Sequence, residues 1–249
     1  MCIKEYGKEN EKVIILLHAG GLGTWNYDEV ANILKSRFHV IILSLNGHRG
    51  SKNRFSTIKE NAKNLVEFID KKLEGEVYLI GGVSLGGQIL LEMLAEKKDI
   101  CKFAIIESTT VLPMPFTSKL IKPVFSLCFP LIKKEWFAKL QFKSLHIKPS
   151  YFEEYFIGTS TINKEDMIAF LKENTTYKMP ENLSKCTAKT LILTGSKERS
   201  IIKKSAKIIN RKIKNSSMEI LQGYYHGDLS LNHAKIYVEK LLKLINEEF

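Results

Sequence analysis

Residues 81–87 read GGVSLGG and separate an apolar run, EVYLI (76–80), from a run with helical spacing, QILLEMLAEKK (88–98). Glycines flank a single serine on both sides, with Gly82, Ser84 and Gly86 at alternate positions. A simple turn needs one or two glycines. The excess implies that residue 84 sits where side chains two positions away would collide. Read as strand, turn and helix, the stretch is a G-x-S-x-G arrangement in the setting that gives it meaning: a sharp strand-to-helix turn that lifts a serine hydroxyl above a sheet. The N-terminus of the following helix would bring backbone N–H groups, notably that of Leu85, beside this hydroxyl.

The chain on either side alternates in the same way. KVIILLH (12–18), HVIILSL (39–45), EVYLIGG (76–82), CKFAIIES (101–108), KTLILTG (189–195) and SMEILQ (217–222) are short runs rich in Ile, Val and Leu. Such runs suit strands covered on both faces, as in a parallel sheet. Between them YDEVANILKSRF, IKENAKNLVEFIDKKL and the lysine-rich KERSIIKKSAKIINRKIKN have helical spacing, and HAKIYVEKLLKLINEEF closes the chain. Strand alternating with helix predicts an α/β fold with a mostly parallel central sheet flanked by helices. Residues 110–185 break the rhythm: they are rich in Pro, Phe and Leu, offer no clear strand, and read as helical up to Pro180. No linker flanks them. The expected division is a core of residues 1–109 and 186–249 with a helical cap inserted at 110–185.

Composition narrows the function classes. With 249 residues, 44% of them hydrophobic, the chain can bury one sizeable core. Cys2, Cys101, Cys128 and Cys186 are scattered, with no CxxC and no Cys/His cluster, so neither a zinc site nor a disulfide framework is indicated. The start, MCIKEYGKENE, holds no apolar core of signal-peptide length, and VFSLCFPLI (124–132) is too short to span a bilayer. A cytoplasmic protein without metal, cofactor or stable membrane insertion is expected. The net charge of +11 raises the question of nucleic acid. In the most basic segment, however, Ile202, Ala206, Ile209 and Ile213 share one helical stripe and the lysines lie off it, as on a solvated helix face. Lysines outnumber arginines 33 to 5, whereas bidentate phosphate recognition favours arginine. No nucleic-acid partner is expected.

A nucleophilic serine needs a base, the base an orienting acid, and the oxyanion hydrogen-bond donors. Each belongs at the carboxyl end of a sheet strand. LLHAGG ends an early strand, and past His18 it can turn the N–H of Gly20 toward the serine. LILTGSKE ends a late strand and offers Glu198; LQGYYHG ends the last and offers His226. His233 competes with His226 but begins the final helical pattern, and Glu107 competes with Glu198 because it closes its own strand. His18 and His48 read as structural residues that tie backbone groups. Met114, Phe116, Phe125, Phe129, Trp136 and Phe137 supply the insertion with a core and, in part, with a pocket lining.

These stretches together resemble the α/β-hydrolase superfamily in its serine-nucleophile branch, over nearly the whole chain outside the insertion. LLHAGGLGTW looks like the family's oxyanion loop, LNGHRGS like the loop after the next strand, GGVSLGG like the nucleophile elbow, TGSKE like the acid loop and YYHGDLSLNHAKIYVEKLLKLI like the histidine loop with its closing helix. The resemblance implies an eight-stranded core, here reduced at its leading hairpin. It implies a Ser84–His226–Glu198 triad and an oxyanion hole of the Gly20 and Leu85 N–H groups. The implied activity is hydrolysis of an ester or related acyl bond in a small apolar substrate through an acyl-enzyme. A C–C bond hydrolase or an acyltransferase could use the same residues, and a ligand receptor could retain them. Two departures stand out: Ala19 where the family usually has glycine, and Glu198 where aspartate is commoner.

Overall fold

A computed structural model describes residues 2–246. The chain begins with β1 (Ile3–Tyr6) and β2 (Val13–Leu17), then α1 (Asp28–Leu34), β3 (His39–Leu43), α2 (Ile58–Lys72), β4 (Val77–Val83), α3 (Leu85–Glu96) and β5 (Cys101–Glu107). It passes through α4 (Pro115–Ile132), α5 (Glu135–Ser144), α6 (Phe152–Thr161) and α7 (Lys164–Thr176) before returning as β6 (Lys189–Gly195). α8 (Ser200–Lys212), β7 (Ser216–Leu221), α9 (Asp228–Asn232) and α10 (Ala234–Asn246) complete it. The end of the closing helical pattern, residues 247–249, lies outside the described residues.

The strands form one seven-stranded sheet in the order β1-β3-β2-β4-β5-β6-β7. β1 runs antiparallel to β3, and every other pairing is parallel. The sheet is mostly parallel, as the apolar runs predict. The leading edge is the single strand β1, which lies outside the apolar runs that read as strands. It is four residues long, none of them buried, and pairs on one side only, so it carries no apolar run.

Alternation along each strand divides the core into two layers. Ile14, Leu16, Leu79, Phe103 and Ile105 pack toward α1 and α10, with Tyr27, Val30, Tyr237 and Leu241. Ile15, Leu17, Ile80, Ala104 and Ile106 pack toward α2, α3 and α8, with Leu65, Ile69, Ile89 and Ile209. α2 starts on a capping-box pattern, Thr57-x-x-Glu60, and the Thr57 hydroxyl accepts the N–H of Glu60. No described helix is long and apolar enough to cross a membrane.

Candidate active site

The turn from β4 into α3 holds Ser84 at φ 53° and ψ −112°, a backbone region that residues with a Cβ rarely enter. A Cβ at Gly82 would sit 2.5 Å from the Gly86 carbonyl oxygen, and one at Gly86 would overlap the carbonyl oxygen of Leu17 at the end of β2. The glycines flanking the serine are therefore required by close backbone approach. The Ser84 N–H donates to the Glu107 carbonyl at 3.0 Å, which anchors the strained residue to the next strand.

His226 lies between β7 and α9, followed by Gly227 in the left-handed conformation. Its Nε2 is 3.1 Å from Ser84 Oγ, and its Nδ1 is 2.7 Å from Glu198 Oε2. Glu198, in the loop after β6, is buried, whereas the imidazole is half-exposed toward the serine. The other carboxylate oxygen, Oε1, accepts the Ser108 hydroxyl at 2.8 Å, the Thr194 hydroxyl at 3.0 Å and the Gly195 N–H at 2.7 Å. Burial alone would raise this carboxyl. The bond to and charge of His226, with the Gly195 and Ser108 donors, outweigh burial and hold the group below its ordinary value. Ser84, His226 and Glu198 thus form one hydrogen-bonded series from three separate strand ends.

Glu107 is also buried at a strand end, but its carboxyl turns elsewhere. Oε1 accepts the Leu229 and Ser230 N–H groups at 3.1 and 3.3 Å, at the start of α9, and Oε2 has no hydrogen-bond partner among the described residues. Burial pushes its pKa up to about 7, against the lowering effect of the Ser230 bonds. The next residue, Ser108, was not singled out from the sequence. It sits at φ 52°, donates to Glu198 and accepts the Gly227 N–H at 2.9 Å, so it ties the acid loop to the histidine loop. Its only sequence signal is its place just past β5. His233 approaches Asp228 at 3.5 Å and packs against Tyr224, away from the series.

Gly20 lies against the first residue of α3: a Cβ there would be 3.2 Å from Leu85 Cδ2. The Leu85 N–H belongs to the first helical turn, whose N–H groups have no intrahelical acceptor. Two buried histidines shape the loop. His48 Nε2 accepts the Gly21 N–H at 2.9 Å, His18 Nε2 accepts the Leu45 N–H at 3.1 Å, and each Nδ1 faces a backbone carbonyl, so both act as neutral rings. Burial pushes their pKa values down to about 3 for His18 and about 4 for His48. An unfolded histidine titrates near 6.5, so the unfolded chain takes up protons that these two refuse. The stability tied to them is complete above about pH 6.5 and is lost as pH falls toward their folded values. His48→Gln should make the pH slope of the unfolding free energy shallower by up to about 1.4 kcal/mol per pH unit between about pH 4.5 and 6.5. Urea unfolding across that range checks this, and an unchanged slope would mean that His48 does not titrate there.

A cavity of about 120 Å³ opens beside Gly21, bounded by Phe125 and Ile132 of α4, Tyr155 and Thr159 of α6 and Met167 and Phe170 of α7. Of the aromatic and methionine residues picked from the sequence, Phe125 lines this cavity. Phe129 and Phe137 pack on the core, and Phe116 and Trp136 face solvent. Ser84, His226 and Glu198 do not line this cavity, which borders their site through Gly21, next to Gly20; a larger groove, about 740 Å³, lies at the opposite ends of the strands, beside Val13, Val77 and Cys101.

The sequence model of the α/β-hydrolase fold matches residues 12–129. No curated protein matches the chain in sequence. Among solved structures, an esterase from Exiguobacterium antarcticum is similar with a TM-score of 0.82 at 15% identity, covering 98% of this chain and 95% of that one. A thermophilic esterase from Thermogutta terrifontis has a TM-score of 0.78 at 18% identity, covering 98% and 93%. A structure from a study of carboxylesterases of the thaumarchaeon Nitrososphaera gargenis has a TM-score of 0.77 at 18% identity, covering 99% and 95%. The sheet order and the strand-to-helix turn agree with that match and with these structures: the chain has the α/β-hydrolase fold.

Proposed function

We propose that the protein is a serine hydrolase that cleaves an ester or related acyl bond in a small apolar substrate. The observation that carries this reading is the hydrogen-bonded series Glu198–His226–Ser84, with the serine at positive φ under the N-terminus of α3. The similar folds named as esterases support it.

In this mechanism Ser84 Oγ attacks the substrate carbonyl carbon as its proton passes to His226 Nε2. Glu198 Oε2 accepts the Nδ1–H, fixing the ring's tautomer and stabilising the imidazolium that forms. The Gly20 and Leu85 N–H groups receive the developing oxyanion, and one such donor is worth roughly 10²–10³ in rate. When the tetrahedral intermediate collapses, the bond to the leaving oxygen breaks and His226 returns the proton to it. Water then attacks the acyl-enzyme with His226 as base, releasing the acid and restoring Ser84. The chemistry needs no metal or organic cofactor. Residues 110–185 act as a helical cap that sets substrate range.

A fluorophosphonate probe should label the protein at Ser84 and leave Ser84→Ala unlabelled. On p-nitrophenyl esters, kcat/KM should rise from acetyl to butyryl, because each CH₂ buried in the apolar cavity contributes about 0.8 kcal/mol. Labelling without turnover of any ester in the series would point to a binding module, and a falling series would remove the apolar acyl pocket.

A further inference from the structure

α4 carries two apolar faces, with Lys119, Lys122 and Ser126 on the flank between them. Its inner face carries Ile121, Phe125 and Ile132 toward the core and the cavity. Its outer face carries Phe116, Leu120, Val124, Leu127 and Leu131 at helical spacings of three and four, and all five are exposed, Phe116 at 85% and Leu127 at 81%. A second apolar face on a helix is normally covered as the first is. Just beyond, α5 adds Trp136 and Leu140, one turn apart and 58% and 62% exposed. Scattered apolar side chains on a surface need no explanation, but a continuous stripe of this kind marks an interaction surface.

Charge decides what covers it. Residues 111–140 contain Lys119, Lys122, Lys133, Lys134 and Lys139 against one acid, Glu135, which pairs with Lys139 at 2.7 Å. Lys119, Lys122, Lys133 and Lys134 are all exposed; Lys119 borders the stripe next to Phe116, and Lys122 follows one turn along the same flank of α4. A second copy of the chain meeting this face by two-fold symmetry would set lysine rim against lysine rim. An apolar stripe bordered by lysines, with a tryptophan at its end, matches the interface of a bilayer that carries negative headgroups.

We propose that the outer face of α4, extended by Trp136 and Leu140, docks reversibly on anionic phospholipid membranes. Phe116, Leu120 and Leu127 enter the headgroup–acyl boundary, and Lys119 and Lys122 meet lipid phosphates. α4 then has lipid on one side and the cavity on the other. The docking does not depend on the hydrolase reading, and its test reads binding alone.

The test is co-sedimentation of the full chain with vesicles of phosphatidylcholine, with and without phosphatidylglycerol, at low and high salt. The wild type should partition onto the phosphatidylglycerol vesicles, and high salt should weaken this. The F116Q/L127Q and K119E/K122E variants should each bind at least about tenfold less, with unchanged thermal unfolding, because all four positions are exposed. A wild type that stays in solution with anionic vesicles would overturn the proposal, as would variants that bind like the wild type. A lipid-independent dimer that F116Q/L127Q disperses would assign the face to a second copy instead.

Discussion

Ser84→Ala lowers kcat by about 10⁴ to 10⁶ while the protein stays folded, the scale on which triad serines act elsewhere. The substitution removes the Oγ that lies 3.1 Å from His226 Nε2 and leaves the Ser84 N–H bond to Glu107 intact. Alanine carries the same Cβ, so the strain at φ 53° is unchanged and stability should move little. Ser84→Gly is the informative companion. It should lose the same activity yet gain about 1 kcal/mol of stability, because glycine enters the positive-φ region without the steric cost that every other residue bears. Ester turnover and urea unfolding of both variants check the pair. Near-normal turnover by Ser84→Ala would end its assignment as nucleophile. A glycine variant no more stable than the alanine one would mean that the elbow stores no strain.

Glu198→Gln lowers kcat by about 10⁴, and the reason lies in the wiring of its two oxygens. Oε1 accepts from Ser108, Thr194 and Gly195, so the amide oxygen of a glutamine must take that place. The amide NH₂ then faces His226 Nδ1, where Oε2 stood at 2.7 Å. A donor there forces the ring into the tautomer with the proton on Nε2, which cannot receive one from Ser84. Glu107→Gln should cost less than about tenfold, because an amide can keep the two backbone bonds to α9 and is neutral, as a protonated carboxyl is. Steady-state kinetics of the two variants separate the carboxyls. If the large loss follows Glu107, the acid must be reassigned and Glu198 becomes a structural carboxylate.

The rivalry between these glutamates shows how far local sequence reaches. β5 and β6 are adjacent parallel strands, and Glu107 pairs in register with Leu193, so both acids emerge at the same end of the sheet. Strand alternation carries part of the answer: Glu107 stands two residues after Ile105 and so shares its face, toward α10, where it meets the start of α9. The position of Glu198 cannot be read this way. Its carboxyl is set by a loop folded over Thr194 and Gly195 and by Ser108 from the neighbouring strand. Ser108, distant from Glu198 and His226 in sequence, becomes visible as their common partner only once the two loops meet.

What the sequence determined by itself was whatever rests on neighbours along the chain. The apolar runs specify buried parallel strands, because alternate side chains must fill both layers. The glycines around Ser84 specify an elbow, because only they allow the backbone to pass so closely. Ser84, Glu198 and His226, in that order along the chain, follow three of these strands, β4, β6 and β7. β1 escaped notice because an edge strand is held by pairing with β3, and a lone half-exposed segment shows no period. The helical character of residues 110–185 was legible, but not the orientation of α4: it has two apolar faces, and no periodicity says which of them turns inward. Only the packing of Phe125 and Ile132 against the cavity decides that Phe116, Leu120 and Leu127 face out. That choice is made by contacts between segments far apart in the chain, which are absent until the fold has closed.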